Sequence, residues 1–285
     1  MTGNGRAERV LVSTGWLDGR LGAAGLVVAE VDENTDLYAE GHIPGSVELH
    51  WRRDLQHPIE RDVADRTALE RLLGGLGIGE GTTVVVYGDR NNWFAAYAYW
   101  YLRLYGHADV RILDGGRQKW IDEGRTLTSD RPTPQLRDYR AAQRDESIRA
   151  YRDRVLEGLG APGRVLIDVR STAEYAGELV APPGYECEGA QRGGHIPTAI
   201  SIPWASAVAN DGTFKSAEAL RALYVGSGVT PDLDVTCYCR IGERSAHTWF
   251  VLHELLGYER VRNYDGSWTE WGNLIGAPIE RGVSA

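Results

Sequence analysis

The chain has 285 residues, 42% of them hydrophobic and 25% charged, with a formal net charge of −9 at pH 7. Such a length suits two domains better than one, and such a composition suits soluble domains with full cores. The charge balance argues against nucleic acid or an anionic membrane as partner. No run is apolar enough for a bilayer span, the polar start Met1–Arg9 offers no signal peptide, and three cysteines make no disulfide framework, so reduced thiols and a cytoplasmic location are expected.

In chain order, Leu26–Asp32 and Thr82–Tyr87 are short valine-rich runs that predict strands. Between them, Thr67-Ala68-Leu69-Glu70 has the capping-box pattern and predicts a helix over Thr67–Gly74. A second helix is expected from Trp93 to Tyr105, and a strand over Val110–Leu113. The polar stretch from Gly124 to Ser147, with Pro132 and Pro134, reads as a linker over about 124–147. Beyond it, strands are expected at Val165–Val169, Val235–Tyr238 and Val261–Tyr264, and helices at Ala217–Val225 and Ser245–Leu256. The stretch 177–192, with Pro182, Pro183 and Cys187, is expected to be an inserted surface loop. Near-continuous apolar strands alternating with helices predict an α/β fold, with each half a parallel sheet covered by helices on both faces. The expected domains are residues 1–143 and 148–285.

The two halves repeat each other. Gly41-His42-Ile43-Pro44 returns as Gly194-His195-Ile196-Pro197. A longer match runs at a constant offset of 151, placing Tyr87 on Tyr238, Gly106 on Gly257, Asp114-Gly115 on Asp265-Gly266 and Trp120 on Trp271. In that register Gly88 of the first half stands where the second half has Cys239.

Cys239 lies on a strand-to-helix turn, where ligands bind in parallel α/β sheets. The turn reads Cys239-Arg240-Ile241-Gly242-Glu243-Arg244. A helix start brings unpaired N–H groups, and two arginines bring charge, so the thiol is expected to have a depressed pKa and to act as a nucleophile without a histidine base. Arg244 and Arg240 are the candidates for holding an oxyanion, Arg244 foremost because Arg240 is free to turn to solvent. Cys237 should be a core thiol and Cys187 an incidental loop residue. His42 and His195 should make turn hydrogen bonds, and His247 should pack. Cys-x-Cys lacks zinc-site spacing, and the Gly-Gly pairs lack phosphate-loop spacing, so neither metal nor cofactor is expected.

Taken together, the tandem halves, the paired Gly-His-Ile-Pro motifs, the Cys239–Arg244 loop and Tyr264-Asp265-Gly266-Ser267-Trp268 resemble the two-domain rhodaneses, the thiosulfate sulfurtransferases. The resemblance covers nearly the whole chain and implies a tandem duplication with a catalytically silent first domain. It implies Cys239 as the nucleophile, a substrate loop of Arg240, Ile241, Gly242, Glu243 and Arg244, and a further substrate contact at Arg170. The implied reaction is attack of the thiolate on the sulfane sulfur of thiosulfate, release of sulfite, and transfer of the outer sulfur of a Cys239 persulfide to cyanide or a thiol. A thiol protein is a further acceptor that chemistry allows. Many animal members have lysine where Ile241 stands. Mercaptopyruvate sulfurtransferases of the superfamily follow the cysteine with glycine, and Arg240 here favours an inorganic sulfonate over 3-mercaptopyruvate. Related phosphatases place five residues between cysteine and arginine; here there are four. A persulfide carrier serving a protein partner is the non-catalytic alternative.

Overall fold

The computed structural model describes residues 4–185 and 189–282, so Cys187 lies outside the described residues. The chain divides into two compact units. One runs to Asp145 and takes in Val208–Phe214; the other holds Glu146–Ala207 and the chain from Lys215 on.

The first unit is built on a wholly parallel five-stranded sheet. Its spatial order is β1 (Leu11–Val12), β5 (Val110–Leu113), β4 (Thr83–Tyr87), β2 (Leu26–Glu30), β3 (Val47–Glu48). The centre of β4, Val84 to Tyr87, has no exposure, as expected of a parallel strand covered on both faces. The second unit repeats the plan with four strands: β7 (Ile200–Ser201), β6 (Arg164–Asp168), β8 (Asp234–Tyr238), β9 (Val261–Tyr264). Its core gathers Val155, Leu166, Ile196, Tyr238, Trp268 and Trp271. Among the described residues no helix is long and apolar enough to cross a membrane.

Three elements differ from the sequence expectations. The helix Arg66–Gly75 is capped by Asp65, whose carboxylate accepts the Ala68 N–H at 2.8 Å, and not by Thr67. Glu70, expected to close a capping box, instead accepts the Ala141 N–H at 3.1 Å. That contact belongs to the second difference. The stretch read as a linker lies along the first unit, with the amides of Thr128, Arg137, Ala142 and Asp145 donating to His42, Gly74, Tyr105 and Leu104. Third, Val208–Phe214 belongs with the first unit, where Asp114 accepts the Phe214 N–H and Lys119 pairs with Asp211.

The Gly-His-Ile-Pro turns have the same construction in both units. His42 stacks on Tyr38 and bonds its carbonyl at 2.8 Å; His195 stacks on Tyr175 and bonds its carbonyl at 2.9 Å. The Ile43 N–H donates to the Tyr87 hydroxyl, and the Ile196 N–H to that of Tyr238. Each turn is thereby tied to the end of the central strand.

Gly88, the counterpart of Cys239, packs so tightly that a Cβ would stand 2.1 Å from the Val31 carbonyl oxygen. Gly88→Cys is therefore expected to cost about 1–3 kcal/mol as an overpacked site, read as a lower thermal midpoint. In a Cys239→Ser background it should take up no sulfur. Sulfur on residue 88 would show that the first unit retains a usable loop.

Candidate active site

Strand β8 ends at Tyr238, and a helix begins at Glu243 and runs to Trp249, continuing as a wider turn through Leu255. The four residues between them form the loop. Gly242 has φ +101, and a Cβ there would meet Asp265 Cβ at 2.7 Å, so glycine is required on both counts. From the other side, Ser267, itself at φ +54, accepts the Cys239 N–H at 3.0 Å and donates to the Tyr264 carbonyl at 2.7 Å. The amides of Trp268 and Thr269 donate to the carbonyls of Cys239 and Arg240. The Asp-Gly-Ser-Trp segment therefore fixes the backbone of the cysteine loop.

Cys239 Sγ is fully buried. The Gly242 N–H points at it from 3.2 Å, the Ser245 N–H also reaches it, and the Ser245 hydroxyl lies 3.5 Å away. That hydroxyl has one proton and a nearer acceptor, Asn263 Oδ1 at 2.6 Å. Asn263 in turn donates to the Gly242 carbonyl at 3.0 Å. The thiol itself donates to Glu243 Oε2 at 3.2 Å. The same carboxylate oxygen accepts the Ile241 N–H at 3.2 Å.

Glu243 changes the expected electrostatics. Burial pushes the Cys239 thiol pKa up, the Glu243 carboxylate pushes it further, and Arg244 and the Ser245 hydrogen bonds pull against them without prevailing. The expected depression is absent in this resting state. The loop is not cationic either. Arg240 Nη2 and Arg244 Nε face Glu243 Oε1 at 3.5 and 3.6 Å, and Arg244 forks onto Glu174 at 2.9 and 3.1 Å. Arg170 lies across Asp168, with contacts of 2.6 to 3.2 Å. Three guanidinium groups are thus matched by three buried carboxylates. Burial disfavours ionisation of Glu243 and Glu174, but their arginines outweigh it and hold both below the usual carboxylate range.

The site residues named from sequence fall as follows. Cys239, Gly242, Glu243 and Arg244 come together around the sulfur. Ile241 contributes its amide. Arg240 is buried rather than turned to solvent, with its guanidinium 4.4 Å from the ring centroid of Tyr185 in the inserted loop. Arg170 has no exposure. It donates to the Gly194 carbonyl at 2.7 Å and lies 4.5 Å over the Trp268 ring, while its Nη1 has no hydrogen-bond partner among the described residues. Sequence reasoning missed Glu174, Tyr185, Ser245 and Asn263, and carried Ser267 only as a member of the Asp-Gly-Ser-Trp motif. Only Glu174 has a local signal, the capping box Ser171-Thr172-Ala173-Glu174, which the helix Thr172–Ala176 does use. Cys237 is buried and free, with its thiol pKa pushed up by burial and by the neighbouring Cys239. His247 is buried against Trp204, and burial pushes its pKa down to about 3, so it stays neutral.

The rhodanese-like domain family matches residues 13–123 and 152–274. A protein of Saccharopolyspora erythraea that carries the provisional name of a thiosulfate sulfurtransferase is 54% identical over 273 residues, 96% of each chain. The sulfur carrier protein TtuD of Thermus thermophilus is 55% identical over 280 residues, covering 96% of this chain and 97% of that one. Among solved structures, the anaerobic ergothioneine biosynthesis enzyme of Chlorobium limicola in complex with trimethyl histidine superimposes with a TM-score of 0.84 at 27% identity. That match covers 98% of this chain and 71% of the enzyme. With both halves matched, this chain belongs to the rhodanese family and carries two copies of its domain.

Proposed function

We propose that this protein is a sulfurtransferase that moves sulfane sulfur from thiosulfate to a thiophilic acceptor, cyanide or a thiol, through a persulfide on Cys239. The observation that carries the reading is the placement of one thiol at the end of a central parallel strand, with the Gly242 N–H 3.2 Å from Sγ and two arginines within the same six-residue loop. In this scheme the thiolate attacks the outer sulfur of thiosulfate, the bond to the sulfonate sulfur breaks, and sulfite leaves with the electron pair. The loop amides and the helix start stabilise the negative charge that stays on the persulfide. Arg240 and Arg244 serve the sulfonate end, and Arg170 anchors the strand end beside them. The first domain, with Gly88 in the cysteine position, is silent and structural. No cofactor enters the scheme, and the chemistry belongs in the reducing cytoplasm.

The relatives' names support the same class, since one is named for thiosulfate sulfur transfer and another for sulfur carriage. The second name makes a protein thiol a reasonable acceptor. Turnover with cyanide as acceptor tests the enzyme reading against a dedicated carrier, which would load sulfur yet release little to a small molecule. Thiosulfate should outperform 3-mercaptopyruvate. With four residues between Cys239 and Arg244, the loop suits a single sulfur and not a phosphoryl group, so p-nitrophenyl phosphate should not be hydrolysed. Efficient phosphatase turnover by the unmodified protein would overturn the proposal.

A further inference from the structure

When Cys239 reacts as a thiol its proton has to go somewhere, and a carboxylate oxygen lies 3.2 Å from Sγ. We infer that Glu243 is a catalytic residue that accepts the Cys239 proton as the sulfur attacks and hands it to the departing sulfite. The inference rests on the sulfur-transfer reading above. Its geometry is direct: Sγ donates to Oε2 across 3.2 Å, and both residues are buried. His247, the histidine of the same helix, packs its ring edge-on against Trp204 instead.

The internal duplication gives an independent observation. In the 151-residue register, Glu243 corresponds to Asn92. Asn92 occupies the equivalent turn, accepting the Gly88 N–H at 3.0 Å and donating to the Leu113 carbonyl at 2.7 Å. A neutral amide is enough to hold that turn together. The carboxylate stands in the copy that has the thiol and the two arginines; the first unit, with Asp89 and Trp93 at the positions of Arg240 and Arg244, has none of the three.

The charges around the pair explain how the transfer is timed. On the loop and helix stand Arg240, Arg244 and His247. Around the loop, Glu174 of the helix Thr172–Ala176 pairs with Arg244, Tyr185 of the inserted loop lies against Arg240, Asp265 lies against Gly242 while pairing with Arg149, Cys237 acts on Cys239 from β8, and Arg170 pairs with Asp168 at the end of β6. At rest, Arg240 and Arg244 face Glu243 Oε1 and keep the carboxylate ionised. An incoming sulfonate competes for those guanidinium groups and adds negative charge beside the carboxylate, which raises its proton affinity. Once protonated, Glu243 no longer holds the arginines, and they are available to the sulfonate. The sum balances without an external oxidant or reductant. Cys239–SH and the thiosulfate dianion give the Cys239 persulfide anion and hydrogen sulfite. One S–S bond forms as another breaks, and Glu243 returns to its ionised state.

The test is single-turnover sulfur loading from thiosulfate, followed by intact mass from about pH 6 to 9, on wild type, Glu243→Gln and Glu243→Asp. With an internal base already ionised, the wild-type rate should be nearly flat across this range. Glu243→Gln should load about 10²-fold more slowly at neutral pH, the smaller end of a general-base contribution, and its rate should climb about tenfold per pH unit as the thiol ionises unaided. Glu243→Asp should recover part of the loss. Thiolate absorbance separates this from a purely electrostatic role, because removing the neighbouring carboxylate lowers the thiol pKa. Slower loading despite more thiolate supports the proton transfer. Loading by Glu243→Gln at or above the wild-type rate would overturn it. So would a wild-type rate that itself climbs tenfold per unit, a result that needs no variant to fold. Wild type that takes up no sulfur at any pH overturns the sulfur-transfer reading as well.

Discussion

Cys239→Ser will take up no sulfur from thiosulfate, while wild type and Cys237→Ser each gain about 32 Da, one sulfur atom on the activated nucleophile. The two thiols are two residues apart and both are buried and free, so composition and exposure do not separate them. Their surroundings do. Cys237 sits within β8, paired in register with Ile167 and Asn263 of the flanking strands. Burial raises its pKa, and the other contribution, from Cys239, acts in the same direction. Cys239 stands one residue past the strand, where the Gly242 and Ser245 amides reach the sulfur and Arg244 acts on it. Charge on Cys239 can be stabilised; charge on Cys237 cannot. Intact mass before and after cyanide treatment reads the result directly, since cyanide removes the outer sulfur. Sulfur loading of Cys239→Ser at wild-type level would move the nucleophile elsewhere and undo the site.

The architecture was legible because it rests on signals that survive in one dimension. Valine-rich runs mark β2 and β4, the β-formers Val235, Thr236 and Tyr238 mark β8, and the constant offset between the halves marks the duplication. The edge strands β1, β3 and β7 were not legible, since two residues carry no period. At the site, the sequence places the nucleophile and its loop together because they are contiguous. It misjudges the charge because the neutralising groups are not. Arg240 and Arg244 read as two cations beside a thiol, whereas Glu174, seventy positions from Arg244, cancels one of them. Glu243 was visible but counted only as a loop member. Its carboxylate turns inward to the sulfur because the loop folds back over Cys239, with Asn263 and Ser267 fixing it from the neighbouring strand and turn. The linker was misread for a related reason. A proline-rich polar stretch has no period, but its amides find acceptors on the first unit.

Arg244→Ala is expected to lower turnover with thiosulfate by about 10²-fold or more, the order of losing a preorganised electrostatic contact, and by more than Arg240→Ala. Every nitrogen of the Arg244 guanidinium faces a carboxylate: Nη1 and Nη2 bond Glu174, and Nε faces Glu243. It therefore spans the helix Thr172–Ala176 and the cysteine loop, and it is the cation that draws the Cys239 pKa down. Arg240 shares Glu243 with Arg244, so its loss leaves that carboxylate one partner. Losing Arg244 strands Glu174, buried with its capping-box serine and, among the described residues, no other guanidinium bonded to it. Breaking a buried pair on one side costs on the order of 3–5 kcal/mol, so the thermal midpoint should fall together with turnover. These two losses have different origins and can be separated. Glu174→Gln added to Arg244→Ala removes the stranded charge and should restore much of the stability. It should restore little of the turnover, because the charge facing Cys239 and the sulfonate is still missing. Arg244→Lys should fall between, keeping the charge but losing the fork. Recovery of turnover in step with stability in the double variant would reduce Arg244 to a structural strut, and a larger catalytic loss in Arg240→Ala would exchange the roles of the two arginines.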